Sequence, residues 1–191
     1  MEFFGSARLP VIMAASALYA GVVSSQQVGV AGGELRAQAI VASFNKSKHV
    51  VKEKHGVRKE KYLRVESVPA LKQNPADYSG AYEGTDARFS LQLRVDASGK
   101  VEGSGVEPLN DEARVSRGFT LRNGRINGAL ITATKVYASG STAPFEGVFI
   151  NKTVYESPTD KGVTAFGLGV VGQQIQVGGV SVDKLFYQLK R

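Results

Sequence analysis

Cysteine and tryptophan are absent from the 191 residues, and histidine and methionine occur only twice each. Without cysteine there is no disulfide staple, thiolate metal centre or thiol nucleophile, so stability rests on core packing alone. The histidines, His49 and His55, stand six positions apart in a lysine-rich stretch. Neither an i, i+4 helical pair nor a Cys/His cluster can be built from them, and no metal or cofactor is expected. A Ser-His-Asp device would have to recruit one of these two side chains, which leaves a hydrolase as the least favoured class. The acidic pairs Glu83/Asp86 and Asp111/Glu112 lie in turn-like segments and are read as turn residues rather than as a general acid and base. No catalytic residue is therefore assigned.

Charge is plentiful but unevenly placed. The chain carries a formal net charge of +7. Residues 46–64 hold eight bases (Lys46, Lys48, Lys52, Lys54, Arg58, Lys59, Lys61 and Arg64) against Glu53 and Glu60. From residue 65 onward 14 bases face 13 acids, so the excess belongs to one segment. An anionic partner is to be sought there. Nucleic acid is disfavoured, because only Tyr62 offers a stacking ring within the run. An anionic lipid surface is the alternative partner for residues 46–64.

Three regions follow from the pattern. Residues 9–23, LPVIMAASALYAGVV, form a fifteen-residue stretch without charge, preceded by Arg8 and followed by the polar Ser24-Ser25-Gln26-Gln27. That is short for a membrane span and suited to the apolar core of a signal peptide, so residues 1–25 are read as a signal peptide or short anchor and the protein as exported. Residues 26–76 read as a basic connector. Within it, residues 34–44 suit a short helix or a strand, and residues 57–65 alternate as an edge strand does, with a hairpin turn at His55-Gly56 and linker signals at Pro69 and Pro75. Residues 77–191 read as an antiparallel β-domain.

The β-pattern is clearest where Phe89, Leu91, Leu93 and Val95 alternate with Ser90, Gln92 and Arg94. Asp96 to Gly99 then supplies turn chemistry. Asn123-Gly124 predicts a tight hairpin that would set Arg122 and Arg125 opposite each other. Further strands are expected at about 130–137, 145–150, 153–156, 163–171, 175–177 and 180–189. The sequence Gly167-Leu168-Gly169-Val170-Val171-Gly172 matches a dinucleotide fingerprint in spacing but lacks the helix and acidic strand that must follow. It is read as a strand in which glycine permits close approach. The fold class is thus all-β: an up-and-down antiparallel meander of about eight strands, closed as a barrel or folded as a sandwich.

Gly80-Ala81-Tyr82 at the head of this meander resembles the calycin group, the lipocalins and avidins, in which Gly-x-Trp opens the first strand. Here Tyr82 takes the tryptophan's place. The resemblance covers at most residues 78–191, implies an up-and-down barrel and carries no binding residues over. The candidate ligand residues are Arg117, which occupies the apolar register of Val115, Phe119 and Leu121, and Tyr82. The competing reading of Arg117 is an ion pair with an acid such as Glu102 or Glu146, or a bulge turning it outward. The candidate anionic-partner patch is Lys52, Lys54, Arg58, Lys59, Lys61, Arg64, Arg122 and Arg125. The expected function is an exported, non-enzymatic β-domain that binds a small ligand or a partner protein. The alternative is a membrane-anchored accessory subunit of an envelope or membrane complex.

Overall fold

The computed structural model describes residues 32–84, 88–109 and 115–171, together with the backbone of the strands at 175–177, 180–182 and 185–189. The segment read as a signal peptide or anchor lies outside the described residues. Residues 32–42 form a helix, α1. The strands follow as β1 (Lys46–Lys54), β2 (Val57–Pro69), β3 (Gly80–Gly84), β4 (Ser90–Val95), β5 (Lys100–Pro108), β6 (Ser116–Asn127), β7 (Leu130–Tyr137), β8 (Thr142–Tyr155), β9 (Val163–Val170), β10 (Ile175–Val177), β11 (Val180–Val182) and β12 (Leu185–Leu189). A single 3-10 turn, Pro75–Tyr78, separates β2 from β3.

Ten of the strands make one antiparallel sheet in the order β1-β2-β8-β7-β6-β5-β4-β3-β12-β9, with β8 also paired to β9, and the sheet curls into a half-barrel. From β3 to β9 each strand pairs with its successor, the arrangement expected of a meander. Strand alternation fills the concave face. Tyr82, Leu91, Leu93, Val101, Phe119, Leu121, Ile131, Phe149 and Leu168 are buried there, and Tyr78 stacks on Phe149 with ring centroids 4.2 Å apart.

Helix α1 covers the convex face of β8 and β9. It forms because residues 34–42 are rich in strong helix formers, and Ala37, Ile40, Val41 and Phe44 recur at the spacing of one helical face. All four are buried. Glycine makes room for them: a Cβ on Gly169 would lie 2.5 Å from the Phe44 ring. Arg36 grips Glu146 of β8 with two hydrogen bonds of 3.1 and 2.9 Å. Asn45 Oδ1 then accepts the Ser67 amide, which ties the end of the helix to β2.

Several boundaries differ from the sequence expectation. The segment expected as a connector is built into the fold, with α1 on the sheet and β2 paired to β8 from Arg64 to Pro69. The turn at His55-Gly56 is present, both residues having positive φ as a two-residue hairpin turn requires. Asn123-Gly124 is not a hairpin. β6 runs straight through it, and the positive φ of Asn123 serves a bulge where the pairing to β5 and β7 shifts register. Gly124 is needed because a Cβ there would meet the Val101 carbonyl at 2.6 Å. The chain reverses later, at Gly128. Residues 145–150 and 153–156, expected as two strands, are one long strand, because Asn151 and Lys152 pair on both sides. Residues 180–189, expected as one strand, divide into β11 and β12.

Candidate interaction surface

Two groupings of charge stand out, one on each face of the sheet. On the concave face, β5, β6 and β7 present Glu107, Arg117 and Phe119, and Lys135 and Tyr137. Glu107 and Arg117 are direct cross-strand partners. The Glu107 carboxylate accepts from Lys135 Nζ at 2.6 Å, Tyr137 Oη at 2.7 Å and Arg117 Nε at 3.0 Å. The Lys135 ammonium lies over the Phe119 ring at 4.7 Å, and the Arg117 guanidinium over the Tyr137 ring at 4.1 Å.

The protonation chemistry of this cluster is that of a structural pair. Burial alone would raise the Glu107 carboxyl, but hydrogen bonds from Lys135 and Tyr137, the Lys135 charge and the Arg117 hydrogen bond together hold it below its ordinary value. Burial lowers Lys135 against the pull of Glu107. Burial, then the hydrogen bond to Glu107, pushes the Tyr137 hydroxyl up to about 12. A general base near neutrality needs the opposite shift in its carboxylate. Among the described residues no group of three acids, histidines or cysteines is placed to hold a metal.

Arg117 keeps the inward register its sequence implied, but its partner is Glu107. Glu102 instead pairs with Lys100 at 2.8 Å, and Glu146 with Arg36. The Arg117 side chain is 42% exposed at the rim, whereas Tyr82 is 1% exposed. The Tyr82 hydroxyl donates to the Tyr78 carbonyl at 2.7 Å. The Tyr82 ring is packed in the core, and the residue also borders a groove over β3 to β7.

The second grouping is the β1–β2 hairpin, and its register sorts the charges. Paired residues share a face, so Lys46, Lys48, Lys52 and Lys54 of β1 lie with Val57, Lys59, Lys61, Leu63 and Val65 of β2. That face carries six exposed lysines and no carboxylate. The opposite face holds His49, Glu53, Arg58, Glu60, Tyr62, Arg64 and Glu66. There Arg58 and His49 both contact Glu60, at 2.6 and 3.3 Å, and Arg64 pairs with Glu66. None of the six lysines makes an ion pair with a described residue. Lys52 and Lys59 stand directly opposite each other, an arrangement that costs stability.

The lysine face is continuous with the convex side of the sheet, since Val65 pairs with Val154 and Ser67 with Lys152. Burial, with repulsion from Lys46 behind it, lowers the Lys152 ammonium. A shallow groove of about 590 Å³ adjoins it, lined by Lys152, Val154, Asp160, Lys161, Val163 and Ala165. A further groove of about 650 Å³ crosses the convex side of β3 to β7 over small residues such as Ala81, Ser90, Ser104 and Gly118.

The expected basic patch is therefore three separate groups. Lys52, Lys54, Lys59 and Lys61 share the lysine face, which the sequence reading left without Lys46 and Lys48. Arg58 and Arg64 lie on the other face among glutamates. Arg122 and Arg125 sit on β6, opposite Thr134 and Thr132, with β7 and β8 between them and the hairpin. They flank a bulge on one strand and do not face each other, because the hairpin that would have opposed them is absent. Glu107, Lys135 and Tyr137 were missed as partners of Arg117. The signal was present: Glu107 follows Val101, Gly103 and Gly105 in the inward register, as Lys135 follows Ile131 and Ala133. Comparison with protein-family models, with characterised proteins and with solved structures finds no match.

Proposed function

We propose that this chain is an exported, non-enzymatic binding protein whose sheet closes as a calycin-like barrel, and that it engages an anionic partner with the outside of that barrel. Closure is supported by β12, which pairs with β3 on one edge and β9 on the other while β9 pairs with β8. Export rests on the apolar run at residues 9–23. The observation that carries the binding role is the hairpin's sorting of charge, with six lysines alone on one face and arginine paired with glutamate on the other. A concave face packed by Tyr78, Tyr82 and Phe149, all 0–1% exposed, argues against a ligand in the lumen.

Calorimetric titration with linear polyphosphate tests this reading. Binding is expected at 50 mM NaCl and should weaken about ten-fold or more by 200 mM, as exposed charges are screened. Lys52→Glu/Lys59→Glu should abolish it, while Arg117→Ala leaves it within about two-fold, because Arg117 is engaged with Glu107 on the other side of the sheet. The reading fails if polyphosphate gives no heat and an apolar fluorophore instead binds stoichiometrically in a manner that Arg117→Ala abolishes.

A further inference from the structure

The lysine face has a shape and chemistry that discriminate among polyanions. Strand geometry sets same-face positions about 6.7 Å apart along a strand and about 5 Å apart across the ribbon, so Lys46, Lys48, Lys52 and Lys54 make a row about 27 Å long on β1, with Lys59 and Lys61 beside it on β2. Between them lie only Val50, Val57, Leu63 and Val65. The ring that would stack a base, Tyr62, is on the other face with its edge toward His49. So are both arginines, each already committed to a glutamate. No amide side chain stands on the lysine face of either strand. Lysine is a hydrated point charge without the planar fork that reads bases or clasps one phosphate bidentately. Such a surface suits a plane of anions whose identity is not read.

Its position points the same way. The ribbon projects beyond the sheet, since β1 pairs only with β2 and β2 reaches β8 only from Arg64 onward. Helix α1 lies on the same convex side, with Gly33 against the Asn127 side chain and Phe44 over Gly169. Only residues 24–31 separate that helix from the uncharged run at 9–23. Eight residues span at most about 27 Å. A chain whose apolar run entered a bilayer would therefore keep the start of α1 within about 27 Å of it, near enough for the convex side and the lysine face to lie along the headgroups.

We infer that the lysine face of the β1–β2 hairpin docks on an anionic lipid bilayer. This deepens the preceding proposal and rests on it: the same six lysines act, and the lipid headgroup is named as the anion. The valines and Leu63 sit at headgroup level between lysines that extend toward phosphates, and repulsion between Lys52 and Lys59 is relieved when anions intervene.

The experiment uses the full chain and vesicles of phosphatidylcholine with or without 30 mol% phosphatidylglycerol, read by sedimentation at 100 mM NaCl. Two variants remove equal charge from opposite faces of one hairpin: Lys52→Gln/Lys59→Gln and Arg58→Gln/Arg64→Gln. The wild type should prefer the anionic vesicles. The lysine variant should lose about 25-fold in affinity for them, at about five-fold per lysine. The arginine variant should change by less than about three-fold, because its face is already neutralised by glutamate. Equal losses in both variants would reduce the effect to net charge and overturn the assignment of the face. Equal binding to both vesicle types would overturn the lipid, as would tighter binding to a 30-base-pair DNA duplex at the same salt. If vesicles fail while polyphosphate still binds through Lys52 and Lys59, the lipid inference falls and the anionic-partner reading stands.

Discussion

Replacing Glu107 by Gln tests whether the concave-face cluster is a buried ion pair. Glu107 and Lys135 side chains are 6% and 5% exposed, so the ammonium is largely shielded from water, with Phe119 and Phe145 among its other neighbours. Glutamine keeps an acceptor for Tyr137 and Arg117 but removes the charge that offsets desolvation of Lys135. Leaving a buried charge without its partner costs about 3–5 kcal/mol, and the retained acceptor places this change at the lower end. Arg117 adds little, because its half-exposed guanidinium can be hydrated. For a domain of this size about 3 kcal/mol corresponds to a fall of about 6–12 °C in Tm. The double variant Glu107→Gln/Lys135→Met removes both charges and puts a flexible apolar side chain between the rings. It should recover most of the loss, giving a coupling of about 2–3 kcal/mol in a double-mutant cycle. Urea unfolding monitored by circular dichroism measures all four species. A Glu107→Gln variant within 1 kcal/mol of wild type, or a double variant worse than the sum of its parts, would refute the reasoning.

Acid should erode the same contact. The Glu107 carboxyl is held below its unfolded value of about 4.3, so its stabilisation is complete above that pH and is lost as pH falls through the lower, folded-state value. The stability gap between wild type and Glu107→Gln should therefore shrink on acidification from pH 6 to pH 2.5, and a constant gap would exclude this origin. On the opposite face, Gly169→Ala should destabilise by about 1–3 kcal/mol, since its methyl would intrude on the Phe44 ring, and Phe44→Leu should relieve part of that cost. An unchanged urea midpoint for Gly169→Ala would mean that α1 is not seated on β9.

Legibility in the sequence followed the number of partners a signal needs. The alternation from Phe89 to Val95, the bounds of β7 and the turn at His55-Gly56 are local facts, and each was readable from a few residues. Asn123-Gly124 misled because positive φ serves a bulge as well as a turn, and only the carbonyl of Val101 on the neighbouring strand decides between them. The helix at 32–42 was ambiguous because its apolar face is short and its docking surface lies more than 100 residues away. Two of the six lysines of the face were already visible in β2, where Lys59 and Lys61 alternate with Arg58, Glu60 and Arg64. The other four depend on β1, because a register slip of one residue would have mixed lysines with glutamates on both faces. Arg117 was placed correctly in register but given the wrong acids, because parity along one strand does not say which strand lies beside it.

The seating of Phe44 on Gly169 sets a timetable for biosynthesis. The helix leaves the ribosome 125 residues before the glycine that receives its aromatic ring. At about 5–20 residues per second that interval is about 6–25 s. For most of it Ile40, Val41 and Phe44 have no sheet to cover, and β2 has no β8 to pair with until residues 150–155 are made. The front of the growing chain thus keeps an uncovered apolar face until the last third arrives. For a polypeptide that must be threaded through a narrow translocation pore this delay is useful, and for one retained in the cytosol it creates a demand for chaperones.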